Sequence, residues 1–168
     1  VYRCINRLDR DTTGLTIVAK HALAGGILGN AVAKRAIHRT YYAVCSGCTP
    51  ACMRISAPIA RKDASTIERC VDFKRGENAV TDFIRIKYNP DNNLSLVKLR
   101  LLTGRTHQIR VHMKYIGFPL IGDFLYNPDY TYISRQALHS GRLVFTHPVT
   151  GQKMNLISDI PSDMKSLF

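Results

Sequence analysis

The sequence contains no long hydrophobic run. Its apolar stretches cover only a few of the 168 residues each, whereas a membrane-spanning helix needs about 20, so a transmembrane protein is excluded. The chain opens with no signal-peptide pattern and no initiator methionine, so we expect an upstream segment to be missing. Apolar residues make up 45% and charged residues 21% of the chain, which is typical of one soluble globular domain over 1–168.

The number of cysteines is odd. We expect a cytoplasmic protein, in which five cysteines predict free thiols rather than a disulfide framework. Cys45, Cys48 and Cys52, with His38 nearby, suggest a zinc site, but no second CxxC pair exists. Cys45 also falls in phase with Tyr41 on a predicted strand, which favours a buried thiol. We therefore expect no metal ion, and a cysteine-ligated zinc protein is kept as the alternative.

Acidic residues are missing from two long stretches. The chain carries 24 Lys and Arg against 12 Asp and Glu, a net charge of +12. Residues 12–62 and 92–122 contain basic side chains and no acid at all. Such blocks of one sign attract a polyanion and make its binding depend on salt. One alternative to polyanion binding is a generally basic soluble surface. Binding to a membrane surface is less favoured, because the sequence shows no basic helix with an aromatic face.

Short β-rich runs dominate the sequence, and helical periodicity is rare. Strands are predicted over 15–19, 41–45, 53–59, 65–72, 79–88, 94–102, 143–145 and 153–157. Helices are predicted over 22–36 and 105–116, with a short closing helix after Pro161. Turn-forming residues at 89–93 and 147–151 predict hairpins. The pattern indicates an α+β fold with a mainly antiparallel, mixed sheet and a few flanking helices, not a βαβ nucleotide-binding fold.

The first polar cluster, residues 6–15, reads NRLDRDTTGL. Asp9 and Asp11 lie among arginines just before a glycine turn, and a carboxylate beside arginine stays ionised and can act as a nucleophile. For either aspartate alone, a turn with solvated ion pairs is the favoured interpretation. A glycosidase-like acid/base pair is a weaker one, because neighbours two positions apart in a loop have no defined separation.

Two further clusters carry polar or aromatic side chains. Residues 101–112 read LLTGRTHQIRVH, in which His107 and Arg110 share a helix face. Helix N-termini and arginine forks bind phosphate, although a solvated basic helix is the alternative. Tyr41 and Tyr42 lie in tandem on a predicted strand and must face opposite sides. One of them is free to line a cleft, and the sequence leaves open which.

Together these clusters resemble the RluA-type family of RNA pseudouridine synthases. The stretch RLDRDTTGL at 7–15 resembles the family's catalytic motif HRLDxxTSGL, and TGRTHQIRVH at 103–112 matches a second motif in full. The stretch IGFPLIGD at 116–123 is similar to the family's IGxPxxGD. Similarities to the family's other blocks at 39–47, 135–139 and 145–148 follow in the family's order, so the resemblance covers nearly the whole chain.

This resemblance implies a pseudouridine synthase catalytic fold with a central RNA-binding cleft, and an isomerase that acts on uridine in RNA without a cofactor. It implies that Asp9 is the nucleophile, Tyr41 the aromatic under the target base, and Arg110 the partner of the aspartate. It also implies that Arg7 helps to fill the gap left by a flipped base. The predicted RNA-binding residues are Arg7, Arg105, His107 and Gln108.

Some features depart from the family pattern. Asn6 replaces the usual histidine and Thr13 the usual serine. In the family, strands and an NKPxG loop usually precede the catalytic motif, and an S4-type RNA-binding domain often precedes those. These 168 residues contain none of them. We therefore expect the sheet to lack a strand or two. The expected partner is ribosomal RNA ahead of transfer RNA, and the expected state is a monomer. A non-catalytic RNA-binding module of the same fold is the alternative.

Overall fold

A seven-stranded sheet forms the centre of the molecule. The structure, a computed structural model, describes residues 2–63, 65 and 67–168. In chain order the elements are β1 (Arg3–Cys4), β2 (Thr13–Gly14), β3 (Val18–Ala19), α1 (Ala22–Ala33), β4 (His38–Ser46), β5 (Cys52–Ser56), β6 (Ile59–Arg61), β7 (Arg69–Val71), β8 (Val80–Asn89), β9 (Leu94–Leu101), α2 (Gln108–Tyr115), β10 (Leu138–Thr146), β11 (Lys153–Ile157) and α3 (Ser162–Lys165).

The strand order of the large sheet is β11-β10-β4-β9-β8-β5, and β2 also pairs with β10. Every pair is antiparallel except β2 with β10, which is parallel. Two smaller antiparallel pairs, β1 with β3 and β6 with β7, lie outside this sheet. The predicted α+β class with a mainly antiparallel, mixed sheet is therefore confirmed.

The hairpin between β8 and β9 forms where the turn residues predicted it. Asn89 Oδ1 accepts a hydrogen bond from the Asp91 backbone at 3.0 Å, and Asn93 takes a left-handed φ of 50°. Asparagine tolerates this conformation better than most residues. The loop, which the structure shortens to the four residues 90–93, therefore closes without a glycine.

Several predicted boundaries are wrong. Helix α1 ends at Ala33 rather than at 36, because Arg35 adopts a left-handed φ of 56°. The predicted strand over 53–59 is broken after Ser56, and the polar residue Arg61 lies inside β6 opposite Arg69. Strand β10 is much longer than the predicted 143–145 because it pairs with β4 on one side and with β11 and β2 on the other. Residue 66 of the predicted strand 65–72 lies outside the described residues.

The two tandem tyrosines face opposite sides of the sheet, as the strand geometry predicts. Tyr41 and Cys45 belong to a core between the sheet and α2, together with Ile109 and Met113 of that helix. Tyr42 packs against a different core that includes α3. The sheet therefore presents Tyr41, and not Tyr42, on the side where α2 lies, and the predicted burial of Cys45 is confirmed.

A buried polar network fastens α2 to the sheet. His112 is fully buried, its Nε2 lies 2.9 Å from the Ala57 carbonyl, and its Nδ1 lies 2.9 Å from Thr81 Oγ1. Gln108 Nε2 donates to the same threonine hydroxyl. The carbonyl can only accept, so Nε2 of His112 carries the proton and Nδ1 accepts from Thr81. A second proton on the ring would make Nδ1 a donor, and the hydroxyl proton of Thr81 would lose its acceptor.

This network predicts an acid-sensitive contribution to stability. Burial lowers the pKa of His112, against the opposing hydrogen bond to Ala57. An unfolded histidine takes up a proton near about pH 6.5, so the unfolded state binds more protons than the folded state below that pH. The contribution of His112 to the free energy of unfolding is therefore fully present above about pH 6.5 and decreases as the pH falls below that value.

We expect the variant His112→Asn to have a smaller loss of stability between about pH 7.5 and about pH 5.5 than the wild type. Denaturant unfolding at the two pH values measures this difference directly. His107, whose pKa is also lowered, is present in both proteins and cancels in the comparison. Equal losses in the variant and the wild type would show that His112 does not take up the proton.

Candidate active site

A tight turn after Leu8 presents Asp9 at the edge of the sheet. The Thr12 backbone donates to the Asp9 carbonyl at 3.0 Å, and Asp11 between them adopts a left-handed φ of 66°. The chain then enters β2, where Gly14 lies so close to β10 that a Cβ at this position would stand 2.3 Å from the Ser140 carbonyl oxygen. Only glycine fits there. This close contact fixes the turn that carries Asp9.

The side chain of Asp9 meets Arg110 from α2. Arg110 Nη1 lies 3.3 Å from Asp9 Oδ2, across 101 positions of sequence. The guanidinium is 1% exposed, whereas the Asp9 side chain is 27% exposed. The predicted pair is thus brought together, with the charge of the cation buried and the carboxylate open to the cleft.

A second carboxylate, Asp123, holds the same guanidinium from behind. Asp123 is fully buried, and it accepts hydrogen bonds from Arg110 Nε and Nη2, both at 2.7 Å. Its Oδ1 also accepts from the backbone N–H groups of Leu125 and Tyr126. This two-point contact fixes the guanidinium plane and leaves Nη1 for Asp9. The three groups together carry one net negative charge.

Aromatic rings cover the faces of the guanidinium. The Arg110 Cζ lies 4.9 Å from the ring centroid of Tyr126 and 5.3 Å from that of Phe124. Such contacts favour a partly desolvated cation. Sequence reasoning missed Asp123, Phe124 and Tyr126 as site residues. Two signals for Asp123 were available: it ends the second acid-free stretch, and it is the last residue of the stretch IGFPLIGD that is similar to a family motif.

Tyr41 lies in the cleft and keeps its hydroxyl protonated. Burial raises the pKa of Tyr41, while the guanidinium of Arg39, two positions earlier on β4, opposes this effect. Positions two apart on a strand share a face, so Arg39 and Tyr41 project toward the same cleft. Arg39 is a further site residue that sequence reasoning did not single out.

One cleft of about 880 Å³ contains all the predicted site residues. Among the residues that the structure describes, its lining includes one acid, Asp9, and six arginines. The arginines are Arg7, Arg35, Arg39, Arg100, Arg105 and Arg110. Concentrated positive charge on the walls of a cleft attracts an anionic ligand more strongly than the same charges on a flat surface.

The predicted RNA-binding residues differ in what they offer to a ligand. Arg7 is exposed at the rim, and Arg105 is exposed and paired with Glu77. Gln108 is 2% exposed, and its amide binds four groups within the protein, so its geometry favours holding the loop before α2 over contacting RNA directly. Helix α2 begins at Gln108 and not at 105 as predicted, because His107 before it adopts a left-handed conformation.

His107 precedes α2 in a left-handed conformation, with a φ of 55°. Its side chain makes no capping hydrogen bond to the helix, and its Nδ1 lies 2.9 Å from the Tyr126 hydroxyl. Burial lowers the pKa of His107, although the Asp9 carboxylate opposes this shift. Burial likewise raises the pKa of Tyr126 to about 12. The imidazole is therefore neutral at neutral pH, and the phenol is protonated.

The described ranges contain no group of three or more His, Cys, Asp or Glu side chains arranged to hold a metal ion. Cys45 is buried in the core, while Cys48 and Cys52 are exposed. Cys48 accepts a hydrogen bond from Arg85. Within the same ranges, no helix is both long enough and apolar enough to cross a membrane.

Comparison with known proteins places this cleft in a family. A model of the RNA pseudouridylate synthase family matches residues 1–115. The uncharacterized RNA pseudouridine synthase YjbO of Bacillus subtilis (strain 168) is 47% identical over 166 residues, which are 98% of this chain and 57% of that protein. The ribosomal large subunit pseudouridine synthase D of Zymomonas mobilis is 37% identical over 174 residues, covering 98% of this chain and 54% of that protein.

A solved structure has the same architecture. Human RNA Pseudouridylate Synthase Domain Containing 1 aligns with a TM-score of 0.84 and 26% identity, covering 95% of this chain and 69% of that one. The chain therefore belongs to the RNA pseudouridylate synthase family, in agreement with the resemblance of its motifs. It spans about half the length of the curated relatives it matches.

Proposed function

We propose that the protein is an RNA pseudouridine synthase that acts through the Asp9 carboxylate. The observation that carries this proposal is the contact between Asp9 and the buried guanidinium of Arg110 in a cleft that also contains Tyr41. A non-catalytic RNA-binding module needs basic side chains in the cleft. It has no need for a carboxylate there, which repels phosphate.

The reaction exchanges one bond of uridine for another. The N1–C1′ bond breaks, the uracil turns, and C5 bonds to C1′; the C5 proton is lost and N1 gains a proton. Arg110 holds Asp9 in place without enclosing it, since only one guanidinium nitrogen contacts the carboxylate. Tyr41 packs against the uracil face. Its hydroxyl is protonated, so it can accept the C5 proton only after another base has removed the hydroxyl proton.

The uridine has to leave its helix to reach Asp9, at a cost of a few kcal/mol. The five cleft arginines other than the buried Arg110 supply phosphate contacts that offset this cost, since such contacts contribute a large share of RNA affinity. Arg7 lies at the exposed rim, next in the chain to the turn that carries Asp9. From there its long side chain can occupy the space that the extruded base vacates.

For the substrate we propose ribosomal RNA, modified in the cytoplasm. Support comes from similar proteins named ribosomal large subunit pseudouridine synthase D in Zymomonas mobilis and Vibrio vulnificus. Transfer RNA is the second candidate. Mapping of modified uridines in a strain that lacks the protein distinguishes the two, because the missing modification identifies the RNA.

Release of tritium from RNA that contains 5-tritiated uridine tests the activity itself. We expect release by the wild-type protein, with pseudouridine in the nucleoside digest of the same RNA. A protein that binds the RNA in its cleft and releases no tritium would be a binding module. Such a result would refute the proposed reaction.

A further inference from the structure

The hydroxyl of Tyr126 connects three parts of the site. Its oxygen lies 2.9 Å from the Arg69 backbone nitrogen of β7 and 2.9 Å from Nδ1 of His107. The Tyr126 ring packs edge-on to the imidazole, with the ring centroids 5.7 Å apart. Tyr126 is only 5% exposed, so these contacts are shielded from water.

The hydrogen-bond directions in this group follow from its donors and acceptors. The Arg69 N–H can only donate, so it donates to the Tyr126 oxygen. The hydroxyl proton then needs an acceptor, and in the part of the chain that the structure describes Nδ1 of His107 is the one within reach. If Nδ1 carried a proton instead, the buried hydroxyl proton would have no partner, which is costly. Tyr126 therefore donates to Nδ1, and the proton of the neutral imidazole resides on Nε2.

His107 lines the same cleft as Asp9, Tyr41 and Arg110. Over the residues described, its Nε2 makes no hydrogen bond to the protein. The left-handed backbone at His107 turns the ring away from the capping position at the start of α2 and toward Tyr126. Left-handed conformations of residues other than glycine are concentrated at functional sites. The local fold thus holds one neutral imidazole in a fixed orientation beside the reactive carboxylate.

We propose that Tyr126 fixes His107 as the Nε2–H tautomer so that this N–H donates to a carbonyl oxygen of the target uracil. The proposal rests on the proposed function, because it requires a uracil in the cleft. Uracil carries two carbonyl oxygens and is neutral, so a fixed neutral donor complements it. His107 is in this view a residue that binds and orients the base, and Tyr126 is the positioning residue behind it.

Nitrogen-15 NMR of imidazole-labelled protein at neutral pH tests the tautomer without any RNA. We expect His107 to be almost entirely in the Nε2–H form, and the variant Tyr126→Phe to populate the other tautomer measurably. Tyr88→Phe is the matched control, because it removes a hydroxyl that bonds Asn93 in the β8–β9 hairpin. A wild-type His107 protonated on Nδ1, or no change in Tyr126→Phe, would overturn the proposal.

A pair of variants tests the contact with the base. Glutamine at position 107 keeps an amide N–H near the place of Nε2, whereas leucine has no donor. We expect the single-turnover rate at saturating RNA to be on the order of 10- to 100-fold lower in His107→Leu than in His107→Gln. RNA affinity should change little in either, because phosphate contacts dominate it. Equal rates in the two variants would overturn the contact.

Sulfur-substituted substrates identify the oxygen concerned. RNA with 2-thiouridine or 4-thiouridine at the target carries a poorer acceptor at one carbonyl position. We expect one of the two substitutions to slow the wild type and to have no additional effect in His107→Leu. If the wild type modifies no RNA at all, the proposed function fails, whereas the NMR result still decides the tautomer.

Discussion

Replacement of Asp9 by asparagine is expected to abolish pseudouridine formation, with a loss of at least about a thousandfold in rate. Asparagine has nearly the same shape and can still accept a hydrogen bond from Nη1 of Arg110, but it lacks the negative charge that makes the carboxylate reactive. RNA affinity should stay within about tenfold of the wild type, because phosphate contacts supply most of it. Tritium release and a filter-binding titration on the same RNA measure the two quantities.

Asp11 offers a matched control for this substitution. It lies two positions away, is exposed, and contacts Arg10 at 3.6 Å rather than Arg110. Asparagine also tolerates its left-handed φ of 66°. We expect Asp11→Asn to retain activity near that of the wild type. Normal turnover by Asp9→Asn would remove Asp9 from the role of nucleophile, and equal losses in both variants would point to a general effect on the turn.

Replacement of Arg110 by methionine is expected to cause two separate losses. Asp9 loses its cationic partner, so the reaction should stop. Asp123 becomes a fully buried carboxylate without its guanidinium, and breaking a buried ion pair from one side costs about 3–5 kcal/mol. For a chain of this size the melting temperature should fall by roughly 6–20 °C. Thermal unfolding with a tritium-release assay records both effects.

The double variant Arg110→Met, Asp123→Asn separates these two losses. Removing both charges relieves the buried unpaired carboxylate, so most of the stability should return while activity stays absent. As a control, Arg54→Met removes an exposed arginine with the same two-point geometry to Asp82. Such exposed pairs contribute about 0–1 kcal/mol. Activity in the double variant would show that the guanidinium is not needed for the reaction.

The sequence predicts the fold class well because strand and turn signals are local. The hairpin at 89–93 depends on five adjacent turn-forming residues, and the opposite facing of Tyr41 and Tyr42 follows from strand geometry alone. Boundaries failed where tertiary contacts decide. β10 extends to Leu138 through its pairing with β4, and α2 starts late because His107 takes a left-handed conformation.

The pairing of Asp9 with Arg110 could be expected only from the resemblance, since 101 positions separate the two residues. Asp123 and Tyr126 could not be recognised as partners of Arg110 and His107, because their contacts form only when the segment after α2 folds back over that helix. Gln108 shows the reverse difficulty. Its motif suggested a ligand contact, yet its amide bonds only to the protein: the oxygen accepts from the loop before α2, and the nitrogen donates to β8.

A crystal structure of Asp9→Asn bound to RNA that contains the target uridine tests the central claim most directly. The account predicts that the uridine is extruded into the cleft, with its ring against Tyr41 and with the residue 9 side chain about 3–3.5 Å from the nucleoside. Cleft arginines should contact the flanking phosphates. RNA bound on another face of the protein, with the cleft between Asn at position 9 and Arg110 empty, would contradict it.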